Sequence, residues 1–208
     1  MKTKELIKSA GLKLFNTQGV MQVTLRDVAK ALNKSYGNIT YHFPKKEDLI
    51  IALYFDMVKS LQPISKSIFE QAPNLISLLK APATTFDISS KYVFLFKDYV
   101  ALIRNYAIIA QTAKESNRQR KESFLEYLLI LQEKGYLQAS LNKDDLDYLM
   151  ELSGAMRTFF FLQNKSEHLP LKEQKSTYIN YVNKLLFPYL SEKGQKIYRD
   201  LEANNFCN

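Results

Sequence analysis

A short stretch near the amino terminus carries side chains suited to contact a polar partner. Residues 35–49 read SYGNITYHFPKKEDL and gather two Tyr, an Asn, a His and a Thr around a single Ile. With Ile39 at the centre of the inner face of a helix, a rotation of about 100° per residue places Tyr36 and Phe43 beside it. We therefore expect these three residues to anchor the helix to its neighbours.

The outer face of this helix presents hydrogen-bonding groups. Four residues lie on the outer side and two on its flanks, namely Lys34, Gly37, Asn38 and Tyr41 outside and Thr40 and His42 on the flanks. An Asn amide can bond base edges, a Gly lets another backbone approach, and Tyr, His and Thr can reach phosphates. The pattern favours a nucleic-acid groove as the partner.

The elements that would position this face are visible in the apolar spacing. Apolar residues at positions 6, 7, 10, 14 and 15 predict an amphipathic first helix that stops at Gly19. Thr24 can cap a second helix through its hydroxyl, Ser35 can cap a third, and a fourth begins near Lys46. Two short helices joined by a tight turn, the second with a polar outer face, describe a helix-turn-helix.

Positive charge is concentrated in the same region. Residues 1–60 hold ten Lys or Arg against five Asp or Glu, whereas the other 148 residues hold 19 against 16. This distribution favours an anionic partner for the first segment, with nucleic acid ahead of a membrane surface. A basic surface that is merely solvated is the other interpretation.

The chain lacks the sequence signatures of most enzymes. It has no Gly-rich phosphate loop, no HExxH and no GxSxG motif. His42 and His168 are its only His residues and Cys207 is its only Cys, so we predict no metal site, cofactor or Cys–His pair. Apolar runs such as 92–96 and 158–162 are too short to span a bilayer, and no secretory segment is visible. We expect a cytoplasmic protein that is not an enzyme and does not enter a membrane.

Four segments in the first quarter of the chain form one ordered pattern. They are LKLFNTQG (12–19), VTLRDVAKAL (23–32), KSYGNITYHF (34–43) and KKEDL (45–49). In order and spacing they resemble the amino-terminal signature of the TetR/AcrR (tetracycline-repressor) family of bacterial transcription regulators. In that signature a helix ending in Leu-Phe and a Gly precedes a Thr-led helix, a short turn, and a recognition helix that closes in Tyr-x-Phe or Tyr-His-Phe before a Lys.

This chain departs from the family pattern at three places. Asn33 and Lys34 stand where the family has Gly-Val, Thr40 replaces the first Tyr of the closing motif, and Lys45 stands where Ser is usual. Lys34 would either change how the turn sits or offer another phosphate contact, while Lys45 adds charge but leaves the cap of the fourth helix in question. We expect the DNA sequence that is read to differ accordingly.

The resemblance implies an architecture and a set of DNA contacts. It implies an all-α chain of about nine to ten helices, with a three-helix helix-turn-helix DNA-binding domain over residues 1–47 and a larger helical domain for effector binding and dimerisation over 48–208. Phosphate contacts are implied for Thr24, Tyr41, His42 and Lys46, base-edge contacts for Arg26, Tyr36, Gly37 and Asn38, and supporting contacts for Lys34, Ser35 and Thr40. Thr24 could serve only as a cap, and Tyr36 could be buried instead.

Helical periodicity continues through the remainder of the chain. The predicted helices cover 73–80, 92–103, 108–134, 142–164, 171–189 and 191–201. Pro82 is expected to kink or end the helix that begins at Pro73, Gly135 to end the long one, and Asn142 to open the next. The fourth helix is expected to run directly into the second domain.

The resemblance also implies a homodimer. Members of the family dimerise through their last two long helices, which here are 142–164 and 171–189. Both helices carry wide apolar faces. In the dimer, two helix-turn-helix domains about 34–36 Å apart would match a palindromic operator in double-stranded DNA. The alternative is that these faces belong entirely to the core of one chain.

A pocket for a small apolar or aromatic effector is the last expectation from the resemblance. Aromatic residues beyond position 60 that could line it are Tyr92, Phe96, Tyr99, Tyr106, Phe124, Tyr127, Phe159 and Phe160. An aromatic stripe at helical spacing can equally be plain core. The chain is therefore interpreted as a repressor released by its effector, with an activator, a ligand-independent regulator or a helical interaction module without DNA binding as alternatives.

Overall fold

The structure, a computed structural model, describes residues 3–69, 72–163 and 169–206. His168 and Cys207, for which no catalytic or metal role is predicted, lie outside these residues, as does the last residue of the predicted helix 142–164. Within the described residues the chain is all-α, as predicted, and one isolated β-bridge joins Leu137 to Leu190. No helix among them is both long and apolar enough to cross a membrane.

The helices follow one another with short connections. They are α1 (Thr3–Gln18), α2 (Leu25–Ala31), α3 (Tyr36–His42), α4 (Lys46–Phe69), α5 (Leu75–Ser89), α6 (Val93–Lys97), α7 (Tyr99–Asn105), α8 (Ala107–Glu133), α9 (Lys143–Leu162), α10 (Leu171–Lys184) and α11 (Glu192–Glu202). Single 3₁₀ turns occupy Ser90–Tyr92 and Phe187–Tyr189.

Two compact units divide the chain. The first unit comprises residues 1–60 and 91–113, and the second unit comprises residues 61–90 and 114–208. The resemblance implies DNA binding by residues 1–47 and effector binding and dimerisation by residues 48–208. This functional division stays a prediction.

The core of the first unit joins α1–α4 to a segment that lies far away in sequence. Val28 of α2 and Ile39 of α3 are fully buried. Phe15 of α1 packs against Phe94 of α6 with 5.3 Å between ring centroids. Leu102 of α7 is also buried in this core. Residues 91–113 therefore form part of the core against which the helix-turn-helix packs.

Polar contacts tie the end of α1 to the same segment. The side chain of Asn16 donates to the Lys91 carbonyl at 2.8 Å and accepts from the Phe94 amide at 3.0 Å. The carboxylate of Asp98 accepts from the Val20 amide at 3.1 Å. These bonds satisfy main-chain groups that the helix ends would otherwise leave without partners.

The second unit is centred on α5, which packs against α10 and α11. Phe86, Phe161 and Tyr178 form an aromatic cluster in which Phe86 and Phe161 are stacked at 5.9 Å. The buried amide of Asn183 donates to the Leu79 carbonyl at 2.8 Å, which provides a partner for a polar group inside the core.

Helix ends agree with several of the predicted signals. Gly19 and Gly135 adopt φ values of 82° and 72°, the left-handed conformation that ends a helix most readily at Gly. Asn142 opens α9 with a capping box to Asp145. These signals are decided within a few residues of chain, which is why sequence reasoning found them.

Four predicted helix limits were wrong. The helix predicted for 92–103 is broken at Asp98 into α6 and α7, and α5 begins after an Asn74 cap rather than on Pro73. Pro82 does not end α5, which continues to Ser89. The helix predicted for 171–189 stops at Lys184 and gives way to the 3₁₀ turn around Pro188, whose ring nitrogen has no proton to donate.

Candidate nucleic-acid interface

The start of α2 is held by a reciprocal cap. The Asp27 amide donates to the Thr24 hydroxyl oxygen at 3.3 Å, and the Asp27 carboxylate accepts from the Thr24 amide at 2.8 Å and from its hydroxyl at 2.7 Å. These hydrogen bonds from Thr24 lower the pKa of the Asp27 carboxyl. The stability they provide is therefore present above the ordinary carboxyl pKa and is lost as the pH falls. Thr24 acts as a cap, as predicted.

The turn between α2 and α3 explains one departure from the family pattern. Asn33 adopts φ 51°, in the left-handed region where Gly is most at ease and Asn is tolerated better than other residues. Asn33 can therefore adopt the left-handed backbone conformation for which the family pattern has Gly. Ser35 then caps α3 by accepting from the Asn38 amide at 3.2 Å.

The inner face of α3 is smaller than predicted. Ile39 is fully buried and Phe43 is 3% exposed, but Tyr36 is 48% exposed and does not anchor the helix. Tyr36 is the first residue of α3, and helical side chains lean toward the amino terminus, so its ring extends beyond the helix end. There it lies under the Arg26 guanidinium, 5.4 Å from ring centroid to guanidinium carbon. The alternative role of Tyr36, a base contact, stays a prediction.

The outer face of α3 is open to solvent, as predicted from the helical rotation. Gly37, Asn38 and Tyr41 are exposed, and Tyr41 is 82% exposed. A Cβ added to Gly37 would meet no atom within 4 Å, and its backbone conformation does not require Gly. Packing and backbone conformation do not explain this Gly, and close approach by DNA at Gly37 stays a prediction.

Two flanking residues are engaged locally. The Thr40 hydroxyl lies within hydrogen-bond distance of the Tyr36 and Gly37 carbonyls, at 3.2 and 3.3 Å. The His42 ring meets the Tyr41 ring edge-on at 5.0 Å. The Thr40 hydroxyl therefore bonds to the backbone of α3 itself. His42 and Tyr41 form an aromatic pair at the end of the helix.

Cations lie at the start of α4 and along the amino-terminal helix. The Lys46 ammonium donates to the Val20 carbonyl at 3.0 Å, which fixes its position between α4 and the loop before α2. Asp48 accepts from the Lys45 amide at 2.8 Å, which is the carboxylate half of a capping box, and Lys45 itself stands where the family has Ser. Lys4 lies over the Phe43 ring at 5.4 Å. The sequence did not predict this contact of Lys4, because nothing local relates Lys4 to α3.

Replacement of Lys46 by Ala is expected to weaken binding to all DNA sequences by similar factors. Its ammonium uses one donor on Val20 and keeps others for a phosphate oxygen. The dependence of log affinity on log salt should flatten by about one unit. Fluorescence anisotropy titrations across salt concentrations measure the slope, with Lys196→Ala, an exposed change on α11, as the control. An unaltered slope in Lys46→Ala would remove it from the phosphate contacts.

Two family models account for most of the chain. Residues 7–53 match the model described as bacterial regulatory proteins, tetR family, and residues 56–198 match the model described as bacterial transcriptional repressor. The chain belongs to the TetR family. Members of the TetR family are transcription regulators rather than enzymes, so both the resemblance and the expected absence of enzymatic activity are confirmed.

Solved structures of transcriptional regulators share the fold over most of the chain. A TetR-family regulator from Marinobacter aquaeolei VT8 is similar at 25% identity, with 99% of each chain covered and a TM-score of 0.87. The ketosteroid transcriptional regulator KstR2 of Mycobacterium tuberculosis is 16% identical, with 92% of this chain and 96% of that chain covered and a TM-score of 0.75. SmeT, the repressor of the Stenotrophomonas maltophilia multidrug efflux pump SmeDEF, is 17% identical, with 92% of each chain covered and a TM-score of 0.61, and also has a structure in complex with triclosan.

The eight aromatic residues predicted to line an effector pocket fall into two groups. Tyr92, Phe96, Tyr99 and Tyr106 belong to the first unit, and Phe124, Tyr127, Phe159 and Phe160 to the second. Burial raises the pKa of the Tyr92, Tyr106 and Tyr127 hydroxyls. The Tyr127 hydroxyl is bonded to the main chain of Asn74, and Phe159 is 50% exposed, so these two are placed as a core residue and a surface residue.

A cleft in the second unit lies among α5, α8, α9 and α10 and has one of the predicted residues, Phe124, in its lining. Leu78 and Leu149 form part of its apolar wall, and Ser153 and Arg157 bring polar groups into it. The cleft is small: its space of about 20 Å³ has room for about one water molecule. Elsewhere in the described residues, no three His, Cys, Asp or Glu side chains are grouped to hold a metal.

Proposed function

We propose that this TetR-family chain is a dimeric repressor that binds a palindromic operator in double-stranded DNA and leaves it when a small molecule binds. The observation that carries the proposal is the two-sided character of α3. Ile39 and Phe43 are buried beneath it, whereas Gly37, Asn38 and Tyr41 face solvent. A helix with such an outer face fits the major groove.

The reading face divides into groups that would read bases and groups that would hold the backbone. The Asn38 amide has the donor and acceptor needed to pair with adenine, and the Arg26 guanidinium suits guanine. The Tyr36 ring under that guanidinium restricts its motion and so reduces the entropy lost on binding. Lys34 and Lys46 would contact phosphates, together with Tyr41, His42 and Thr24, whose hydroxyl would exchange its bond to the Asp27 carboxylate for one to a phosphate.

Dimerisation is supported by an exposed apolar stripe on α9. Tyr148, Leu152, Ala155, Phe159 and Leu162 follow one another at steps of four and three residues, the spacing of a helix–helix seam. Tyr148, Phe159 and Leu162 are 60%, 50% and 44% exposed. On α10, Leu171 and Tyr181 are 62% and 53% exposed. Large apolar side chains exposed in a row favour an isologous interface with a second copy of the chain.

Repression and release by an effector follow from analogy and from the cleft. SmeT is named as a repressor and has a structure with triclosan, and the second family model is described as a transcriptional repressor. In this chain we place the effector site in the second unit, where the cleft would have to widen to admit a ligand. The effector must prefer the DNA-free conformation, because only differential affinity shifts an equilibrium. Such a regulator acts where the bacterial DNA lies, in the cytoplasm.

Selection of bound duplexes from a random DNA pool tests the proposal. We expect enrichment of an inverted repeat whose half-sites lie about one helical turn apart. A single half-site without symmetry would contradict the dimeric arrangement. No enrichment at all would favour the alternative of a helical interaction module without DNA binding. Transcription from a promoter that carries the selected site then separates repression from activation.

A further inference from the structure

Asp98 is a carboxylate of the first unit that is bonded to a loop far away in sequence. It stands at the junction of α6 and α7, inside a segment that apolar periodicity predicts to be one helix. Although it lies at the N-cap position of α7, its carboxylate accepts from the Val20 amide at 3.1 Å. The side chain therefore serves the loop between α1 and α2 rather than the helix on which it stands.

This loop, residues 19–23, begins where Gly19 leaves α1. Gly19 adopts the left-handed conformation, and its amide donates to the Phe15 carbonyl at 2.9 Å. In a common form of this helix ending, the amide of the next residue also bonds back to the helix. Here the next residue is Val20, and its amide is bonded to Asp98. The course of the loop therefore depends on a residue outside it.

Val20 is held from two sides by groups of opposite charge. Its amide donates to the Asp98 carboxylate, and its carbonyl accepts from the Lys46 ammonium at 3.0 Å. Each bond includes one charged group and is partly buried, which makes it stronger than a bond between neutral groups in water. The Val20 side chain is itself 3% exposed. The core therefore fixes the place of Val20, and the two charged groups fix how its main chain is turned.

We propose that Asp98 is a positioning residue for DNA binding, which acts through Val20 to hold the Lys46 ammonium where it meets a phosphate. The proposal rests on the phosphate contact of Lys46 proposed above. A Lys side chain has a flexible stem, and ordering it on binding costs free energy unless it is ordered beforehand. The Val20 carbonyl provides this order while Asp98 holds the Val20 amide. With one donor on Val20, the ammonium keeps others for a phosphate oxygen.

The sign of the effect distinguishes this role from the ordinary effect of a charge. A carboxylate repels phosphates, so its removal alone should strengthen DNA binding or leave it unchanged. If Asp98 positions Lys46, removal of its side chain should weaken binding, because the Val20 amide loses its partner and the loop can turn. Asp98→Asn removes the charge but keeps an oxygen acceptor, so it should keep Lys46 in position.

Fluorescence anisotropy titrations of a labelled duplex of scrambled sequence measure these effects, because phosphate contacts do not depend on base sequence. Affinity and its salt dependence are compared for the unaltered protein, Asp98→Ala, Asp98→Asn, Lys46→Ala and the double variant Asp98→Ala/Lys46→Ala. Glu47→Ala is the control, because it removes an exposed carboxylate from the same unit. Thermal unfolding of each variant without DNA verifies that it is folded.

At low salt we expect Asp98→Ala to bind about three- to tenfold more weakly and to flatten the dependence of log affinity on log salt by up to about one unit, as loss of one phosphate contact does. Asp98→Asn should bind within about twofold of the unaltered protein, and Glu47→Ala should bind equally or more tightly. In the Lys46→Ala background, Asp98→Ala should change affinity by less than about twofold, because the group through which it acts is absent.

Three results would overturn the proposal: equal or tighter binding by Asp98→Ala, weaker binding with an unaltered salt dependence, or a full further loss in the Lys46→Ala background. If the unaltered protein does not bind the scrambled duplex, the positioning role and the proposed function are both contradicted. Failure to select an operator contradicts only the proposed function, and the salt dependences still decide the role of Asp98. If Asp98→Ala does not fold, a flatter salt dependence in a folded Asp98→Ser, whose side chain is shorter, supports the proposal and an unaltered one overturns it.

Discussion

A chain in which Phe94 is replaced by Ala is expected to lose about 3–5 kcal/mol of stability in its first unit, the cost of truncating a buried Phe. Phe94 is 1% exposed and packs against Phe15, although it lies about fifty residues beyond the recognition helix. A cavity would open beneath α1. DNA binding would fail because the core would no longer fix the position of the helix-turn-helix. The effect is large because the surrounding structure relaxes only partly into the space of a removed ring.

Hydrogen exchange of the amides in α1 and α2 measures this change directly, since it reports local opening in a chain with two units. Phe55→Ala is the matched control, because Phe55 is an aromatic residue of the same unit that is 39% exposed. We expect that control to cost about 1 kcal/mol or less. If the α1 and α2 amides of Phe94→Ala kept their protection from exchange, residues 91–113 would not be part of the core that stabilises the helix-turn-helix.

Replacement of Phe159 by Asp is expected to convert the protein from a dimer into a monomer at micromolar concentration. The side chain lies in the exposed apolar stripe of α9, so in the proposed dimer a carboxylate there would lose its hydration without a partner. Operator affinity should fall by about 10²- to 10⁴-fold, because the two helix-turn-helix domains would no longer be linked in one dimer. Sedimentation velocity and operator titrations measure the two effects.

Leu129→Asp is the control for this change. Leu129 is an exposed apolar residue of α8, 41% exposed, and lies outside the stripe. It should leave both the dimer and operator affinity unchanged. A Phe159→Asp protein that sediments as a dimer would place the interface elsewhere, and an unaltered protein that is monomeric would remove it altogether.

Features determined by a few neighbouring residues could be predicted from the sequence. Gly19, Thr24 and Ser35 end or begin helices where expected, because capping depends on groups within three or four residues. Burial of Ile39 follows from helical rotation alone. At Tyr36 the same rotation failed, because a side chain on the first turn of a short helix leans past the helix end.

Features determined by distant residues could not be predicted. The break in the helix predicted for 92–103 coincides with Asp98, whose carboxylate accepts from Val20 almost eighty residues earlier. Apolar periodicity marks the segment as helical but does not reveal what it packs against.

The affinity of Asn38→Ala for the selected operator and for a scrambled duplex tests the central claim, that the outer face of α3 reads DNA sequence. We expect operator affinity to fall about ten- to a hundredfold and scrambled-duplex affinity to stay within about twofold, because Asn38 would contact a base and not a phosphate. Asn105→Ala, an exposed change in the same unit, should alter neither affinity. Equal operator affinity for Asn38→Ala and the unaltered protein would contradict the claim.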